Sequence, residues 1–289
     1  MITPAATRTI ARDGWSLTLA DDWLTAELRE TVVLRALAAA RGELGGPRRR
    51  SRHASTWQVG LSAGVGREIF IKLFDAPHGF DALKQFLRGG RAHHIARVTR
   101  QLNDAGLFAP PLLLCGSEAA SGREIIVTPR VEGDGPLRML KTLQMGPIDR
   151  KRVVLHALGA EIARLHRCGF VHGDLTPFNI FFVHAEPPRF VMIDHERTRR
   201  AGYRGWRRPA LRNLVQLGRF DLPGLGATDR MRILMGYTAL LDGRDRRRTT
   251  RRVNAMLLRR IRRDGIERVE FPWRRDSNAI ILGQGSSNG

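Results

Sequence analysis

The chain has 289 residues, 42% hydrophobic and 27% charged, an ordinary globular balance with material for one large domain or two lobes sharing a cleft. Its formal net charge of +21 rests on arginine, since the lysines are only Lys72, Lys84, Lys141 and Lys151; such a surface draws polyanions, whether nucleic acid, anionic lipid headgroups or phosphorylated glycans, although arginine excess also accompanies GC-rich genomes. Cys115 and Cys168 are too few for a disulfide framework or a cysteine metal site, and no secretory pattern or apolar run of roughly 20 residues occurs, so the expectation is a cytoplasmic chain, soluble or peripheral to a membrane.

Residues 1–20 read as weakly structured or strand-like. From Asp21 to about Ala40 the spacing is helical: Leu24, Leu28 and Val32 recur every fourth residue, Val33 and Leu37 lie beside them, and the acidic start suits the helix dipole. Gly45-Gly46-Pro47 breaks the pattern and a basic loop, 48–52, follows. Residues 55–74 read as two strands around a turn at Ser62–Gly66, the second being the apolar run Ile69–Phe74 that carries Lys72. A helix is predicted over 80–104, then strands over Leu112–Cys115 and Glu124–Thr128. Pro129–Pro136 reads as a linker.

Beyond the linker the pattern turns helical. Lys151–Cys168 carries an apolar stripe (Val154, Leu155, Leu158, Ile162, Leu165) and stops at Gly169. Short strands over 179–183 and 190–193 precede a basic helical region, 205–263. The expected organisation is an extension (1–44), a sheet lobe with one helix (45–131), a helical lobe (132–275) and a small polar tail (276–289). The expected fold class is α+β and two-lobed, with a small antiparallel sheet lobe and a larger helical lobe.

Phosphoryl transfer asks little of a protein beyond positioning and charge neutralisation. It needs a carboxylate to take the proton of the attacking hydroxyl, oxygen ligands for Mg²⁺, and a cation on the nucleotide phosphates. His172-Gly173-Asp174 supplies the carboxylate, Asp174, with Asn179 five residues on, the spacing of a kinase catalytic loop. Asp194 follows the second short strand, where a hairpin returns it toward Asn179, so both suit Mg²⁺. Lys72, inside an apolar strand, calls for an anionic partner such as a nucleotide phosphate.

Singly, each residue has a plainer reading. A loop Asp or Asn is usually a turn residue or cap, a strand lysine usually snorkels outward, and His172 reads as a structural brace. Their conjunction in this order supports a protein-kinase-like two-lobed fold and catalysis by it. Gly60-x-x-x-Gly64-x-Gly66 lies too close to Lys72 to cover phosphates, and Gly45–Thr56 is assigned that place. The stretch Arg199–Arg208, with Tyr203 and Trp206, reads either as a solvated face or as a surface for an anionic substrate or membrane.

From Trp57 to Leu241 the sequence resembles the lipopolysaccharide core kinases, the Kdo and heptose kinase family of Gram-negative bacteria. The resemblance is carried by Ile71-Lys72, Ala105-Gly106-Leu107 before Pro110-Pro111, Ile126-Val127-Thr128, His172-Gly173-Asp174 to Asn179, Ile193-Asp194-His195-Glu196-Arg197, Arg212–Leu217 and Thr228–Arg232. It implies phosphorylation of a core sugar hydroxyl with ATP and Mg²⁺ at the cytoplasmic face of the inner membrane, on an anionic glycolipid. By carry-over Asp174 is the base, Asn179 and Asp194 are the metal ligands and Lys72 is the nucleotide lysine. Val127 and Thr128 lie on the nucleotide, and His172 and Arg197 support the site.

Two departures stand out. Residues 80–103 contain no Glu to pair with the strand lysine, and His93 or His94 occupies that neighbourhood; Asp194-His195-Glu196 replaces Asp-Phe-Gly. The competing readings are an aminoglycoside- or choline-type kinase, which would want an acidic acceptor cleft, and a pseudokinase that binds nucleotide without transfer. A nucleic-acid-binding protein is suggested by charge alone, with no recognition module behind it.

Overall fold

The structure, a computed structural model, describes residues 7–20, 24–51, 53–61, 68–76, 90–201, 207–239, 241 and 243–268. The expected turn at 62–66, the start of the helix predicted from 80, the aromatic part of the 199–208 stretch and the tail lie outside these residues. Proximity within the chain divides it into two units, Met1–Val131 and Glu132–Gly289.

The first unit is a seven-stranded antiparallel sheet in the order β1-β2-β6-β7-β5-β4-β3. Its strands are β1 (Thr7–Arg12), β2 (Trp15–Ala20), β3 (Arg49–Arg50), β4 (Ala54–Gly60), β5 (Glu68–Phe74), β6 (Leu114–Glu118) and β7 (Glu124–Pro129). Asp13-Gly14 turns β1 into β2 with both residues at positive φ, 50° and 78°, the backbone that matches the strand twist. Helix α1 (Ala26–Arg41) starts after Thr25, whose hydroxyl accepts from Leu28 N, and stops at left-handed Gly42. Helix α2 covers Arg91–Asp104.

Successive strand side chains point to opposite faces, which gives the sheet two cores. Ile69, Ile71 and Leu73 of β5 pack with Leu17, Val127 and the α1 residues Val32, Val33 and Ala36. On the other face Phe74, Ile126 and Cys115 pack with Ala92 and Ile95 of α2. Burial pushes the Cys115 thiol up to about 11, so it is an inert apolar filler. Strand β6 begins at Leu114, two residues later than the sequence predicts, although Leu113 N already donates to Val127 O at 2.8 Å.

The second unit is mainly helical: α3 (Pro136–Met145), α4 (Ile148–Arg167), α5 (Arg207–Gly218), α6 (Ala227–Thr238) and α7 (Gly243–Asp264). Short two-stranded pairings join β8 (Phe170–Val171) to β11 (Arg199–Arg200), β9 (Ile180–Val183) to β10 (Arg189–Met192), and β12 (Phe220–Asp221) to β13 (Glu267–Arg268).

Helices α4 and α6 approach closely because each presents a glycine at the crossing. A Cβ at Gly159 would stand 1.9 Å from Ile233 O, and one at Gly236 1.9 Å from His156 O. Helix propensity alone would favour alanine by about 1 kcal/mol. Overpacking against backbone, which cannot rotate away, costs typically ~1–3 kcal/mol or more and decides the sign. Gly159→Ala should therefore cost a net ~2 kcal/mol, at the upper end of that range, and lower the urea midpoint in proportion. An unchanged midpoint would show that the helices separate freely.

Candidate active site

Helix α4 ends where Gly169, at φ 82°, turns the chain into β8 and the loop 172–179. Gly173 is required there twice over. Its φ is 77°, and a Cβ would lie 2.4 Å from Arg197 O. The His172 ring, fully buried, donates from Nε2 to Ile193 O at 2.9 Å and accepts from Asp174 N at Nδ1 across 3.4 Å. Both contacts suit the neutral ring, and burial lowers its pKa. One imidazole thus ties the loop to the segment after β10.

Asp174 is half-buried, and its Oδ1 accepts from Gln216 Nε2 at 3.2 Å. Asn179 closes the 3₁₀ turn Pro177–Asn179 and donates from Nδ2 to Asp174 O at 2.9 Å. That bond commits the amide nitrogen and leaves the oxygen end for a cation. Ile193 N donates to Asn179 O at 3.0 Å, so the hairpin β9–β10 sets Asp194 one residue beyond a direct backbone link to Asn179. Asp194 is exposed and left-handed, φ 64° and ψ 57°, a conformation uncommon for a residue other than glycine and found often where a side chain is held for function. Arg197, the other supporting residue, is exposed; its backbone is what crowds Gly173.

Sequence reasoning missed the buried polar chain behind this loop. Tyr237 donates to His166 Nδ1 at 3.0 Å, and His166 Nε2 donates to Asn213 Oδ1 at 3.1 Å. Asn213 Oδ1 also accepts from His172 N at 3.1 Å, while its amide donates to Gln216 Oε1 at 3.3 Å. Gln216 then reaches Asp174. Asn213 and Gln216 stand three residues apart on α5, on one face, within the segment Arg212–Leu217 that carries part of the family resemblance; the spacing and that segment were the signals in the sequence, and neither named a partner. His195 was likewise unassigned. It is buried, donating from Nε2 to Met192 O at 2.8 Å, with Nδ1 3.1 Å from the Thr198 hydroxyl.

Burial pushes His166 down to about 4 and His195 down to about 3, against an ordinary 6.5. Between those values the unfolded chain binds protons that the native rings refuse, so stability falls as pH falls. Urea midpoints should therefore drop steadily from pH 7 to pH 4.5. A midpoint flat across that interval would mean that these rings are protonated in the native state.

In the first unit, Lys72 is half-buried on the α2 face of β5, its Nζ 5.3 Å from the Phe74 ring centroid. Lys72 pairs with Ile126, so Thr128, two residues on, shares that face and is half-buried. Val127 does not join them. Its side chain is fully buried in the α1 core on the opposite face, and its carbonyl accepts from Leu113 N. Strand register turns the Val127 side chain away from Lys72. Within α2, His93 is exposed and His94 lies 3.3 Å from Arg97. Glu124 of β7, buried, accepts from Arg91 N at 2.7 Å and Ala92 N at 3.2 Å at the start of α2. Burial raises its pKa, and those two bonds oppose the rise.

Asn179 Oδ1 and the Asp194 carboxylate are hard oxygen donors, a set that fits Mg²⁺ completed by phosphate and water. Among the described residues no three His, Cys, Asp or Glu side chains gather as they would for a zinc-type site.

Residues 75–237 match the Lipopolysaccharide kinase (Kdo/WaaP) family, more than half of the chain. The chain belongs to that family. Its architecture is α+β, a sheet unit followed by a mainly helical unit that carries the loop 172–179. Among curated proteins the chain is 32% identical over 94 residues to the KEOPS complex subunit Bud32 of Pyrococcus abyssi, covering 32% of this chain and 40% of that protein. It is 29% identical over 119 residues to the EKC/KEOPS complex subunit BUD32 of Encephalitozoon cuniculi, covering 41% and 54%. The chain thus spans about half or less of the length of these relatives. Similar solved structures include the PknI kinase domain of Mycobacterium tuberculosis: 15% identity, TM-score 0.33, and coverage of 54% of this chain and 59% of that one. A double mutant of the same domain gives 16%, 0.33, 52% and 56%.

Proposed function

We propose that this kinase transfers the terminal phosphoryl group of ATP to a sugar hydroxyl of the lipopolysaccharide core, on Kdo or heptose. The observation that carries the reading is the loop in which Asp174, Asn179 and the hairpin to Asp194 are tied together by short backbone and amide bonds, within a chain of the lipopolysaccharide kinase family. Asp174, steadied by Gln216, orients the acceptor hydroxyl and takes its proton as the new bond forms. Asn179 Oδ1 and Asp194 would hold Mg²⁺, and Lys72 and Thr128 would meet the nucleotide. The bound Mg·ATP supplies the phosphoryl group and neutralises its charge. His172 holds the loop in register.

A basic, peripheral protein suits an acceptor that is itself anionic and membrane-anchored. No helix of the described residues is long and apolar enough to cross a membrane. The test is mass spectrometry of core oligosaccharide from cells with and without the gene, joined to transfer from labelled ATP to rough lipopolysaccharide in vitro. One phosphate should be absent from the deletion strain, and Lys72→Met should reduce transfer by roughly 10²-fold or more. Identical oligosaccharides would refute the acceptor.

One observation favours a second reading. The described part of α2 contains no Glu, and Glu124 is engaged at the helix start. A pseudokinase would bind Mg·ATP without turnover on any acceptor.

A further inference from the structure

Beside the catalytic loop the second unit has a cavity of about 630 Å³ whose charged lining is wholly cationic. Gly173 and Gln216 contribute to it, so it adjoins the residue that holds Asp174. Arg199 comes from β11. Arg208, Arg212 and Arg219 come from α5 and the residue after it, and Arg259, Arg260 and Arg263 from α7. Among the described residues no carboxylate lines it. Asp264, next in the chain to Arg263, accepts from Arg263 Nε at 2.8 Å and pairs with Arg260. Among the described residues the lining thus carries seven guanidiniums and no carboxylate, a strong positive excess.

Like charges gathered around a concavity repel one another unless an anion enters. Every cation named here is an arginine, whose planar fork matches two oxygens of a phosphate at once. The volume is far larger than the roughly 30 Å³ of a water, so a phosphate still attached to a carrier can enter. The family match ends at Tyr237, and α7 lies beyond it. Three of the seven arginines thus come from a helix outside the family match.

We propose that this cavity binds a phosphate ester already present on the acceptor, so that the kinase acts on a substrate phosphorylated elsewhere. This rests on the reading that Asp174 serves a sugar acceptor, and it deepens that reading by naming what the acceptor carries. The phosphate docks between α5 and α7, and the hydroxyl to be phosphorylated then lies on the Gln216 side, toward Asp174. The reaction that supplies this substrate is therefore itself a phosphorylation or a transfer of a phosphorylated sugar.

The test is binding to the full chain, read without any transfer step. The probes are inorganic pyrophosphate, mannose 6-phosphate, and phosphatidylcholine vesicles with and without phosphatidic acid. Arg212→Gln/Arg259→Gln removes two exposed cavity charges. Arg247→Gln/Arg251→Gln removes two exposed α7 charges away from the cavity and matches the change in net charge. Thermal denaturation checks that both variants are folded.

The cavity variant should lose roughly tenfold or more in affinity for the phosphate probes, and the control less than about twofold. With a phosphate-bearing acceptor the cavity variant should raise KM by a similar factor and leave kcat and the KM for ATP unchanged. Binding of mannose 6-phosphate assigns the phosphate to a sugar, and binding of phosphatidic acid vesicles alone assigns it to a lipid headgroup. Equal losses in the two variants would overturn the site, as a general field would then explain binding. No binding of any phosphate probe would overturn it too, as would tighter, cavity-dependent binding of RNA. Binding that persists while core lipopolysaccharide is never phosphorylated would sink the proposed acceptor and leave the site intact.

Discussion

Asp174→Asn is expected to reduce phosphoryl transfer by roughly 10²–10⁴-fold while the protein remains folded. The amide keeps an oxygen for the Gln216 bond of 3.2 Å and keeps the size of the side chain, so loop geometry should survive. It cannot take a proton from the acceptor hydroxyl. Because the group acts in the transition state and not on ground-state binding, the loss should fall on kcat, with the KM for ATP little changed. Asp174→Ala should be at least as damaging, since it also deprives Gln216 Nε2 of its carboxylate partner. A variant with wild-type kcat would remove Asp174 from the mechanism and the loop from the proposed site.

Lys151→Met should be the most destabilising substitution in the second unit, by about 3–5 kcal/mol. Lys151 lies in the first turn of α4 with its side chain 11% exposed, and its Nζ donates to Asp229 Oδ2 at 2.7 Å and Gly224 O at 2.8 Å. The Asp229 side chain is 7% exposed and also accepts from Arg232 Nη1 at 2.6 Å and Gly226 N at 3.1 Å. Burial opposes the charge on Asp229, but these donors outweigh it and hold its pKa below the ordinary 3.8. Methionine fills the space and leaves a buried carboxylate with part of its compensation gone. The stabilisation is present above the ordinary carboxylate pKa and is lost as pH falls through the depressed one, so the loss should be fully visible at neutral pH. Asp229→Asn should restore part of the stability of the Lys151→Met chain, and the double-mutant cycle isolates the pair. Purely additive effects would show that the two groups do not depend on one another.

The candidate catalytic loop was legible because its pattern is local. Asp174 and Asn179 lie five residues apart, and the glycine before Asp174 is forced by both φ and space. The helix ending at Gly169, the hairpin strands of 180–192 and the lysine strand Glu68–Phe74 all follow from apolar period and turn residues. The start of α1 was read early, at Asp21, because charge pattern pointed to the acidic pair while the cap that forms is Thr25. The face that the Val127 side chain takes was not legible, for a different reason. It depends on how β7 registers against β5, and a one-residue shift in pairing reverses every side chain.

By itself the sequence determined which residues are candidates for the chemistry and where strands give way to helices, since both are written in short-range spacing. Tertiary structure decided how that chemistry is held. The chain from Tyr237 through His166, Asn213 and Gln216 to Asp174 joins residues up to 71 positions apart, and polar side chains announce no partner until packing removes water and obliges them to find one. The close crossing of α4 and α6, and the arginines that α5 and α7 bring around one cavity, arise the same way: each is a property of two helix faces meeting, and neither helix alone contains it.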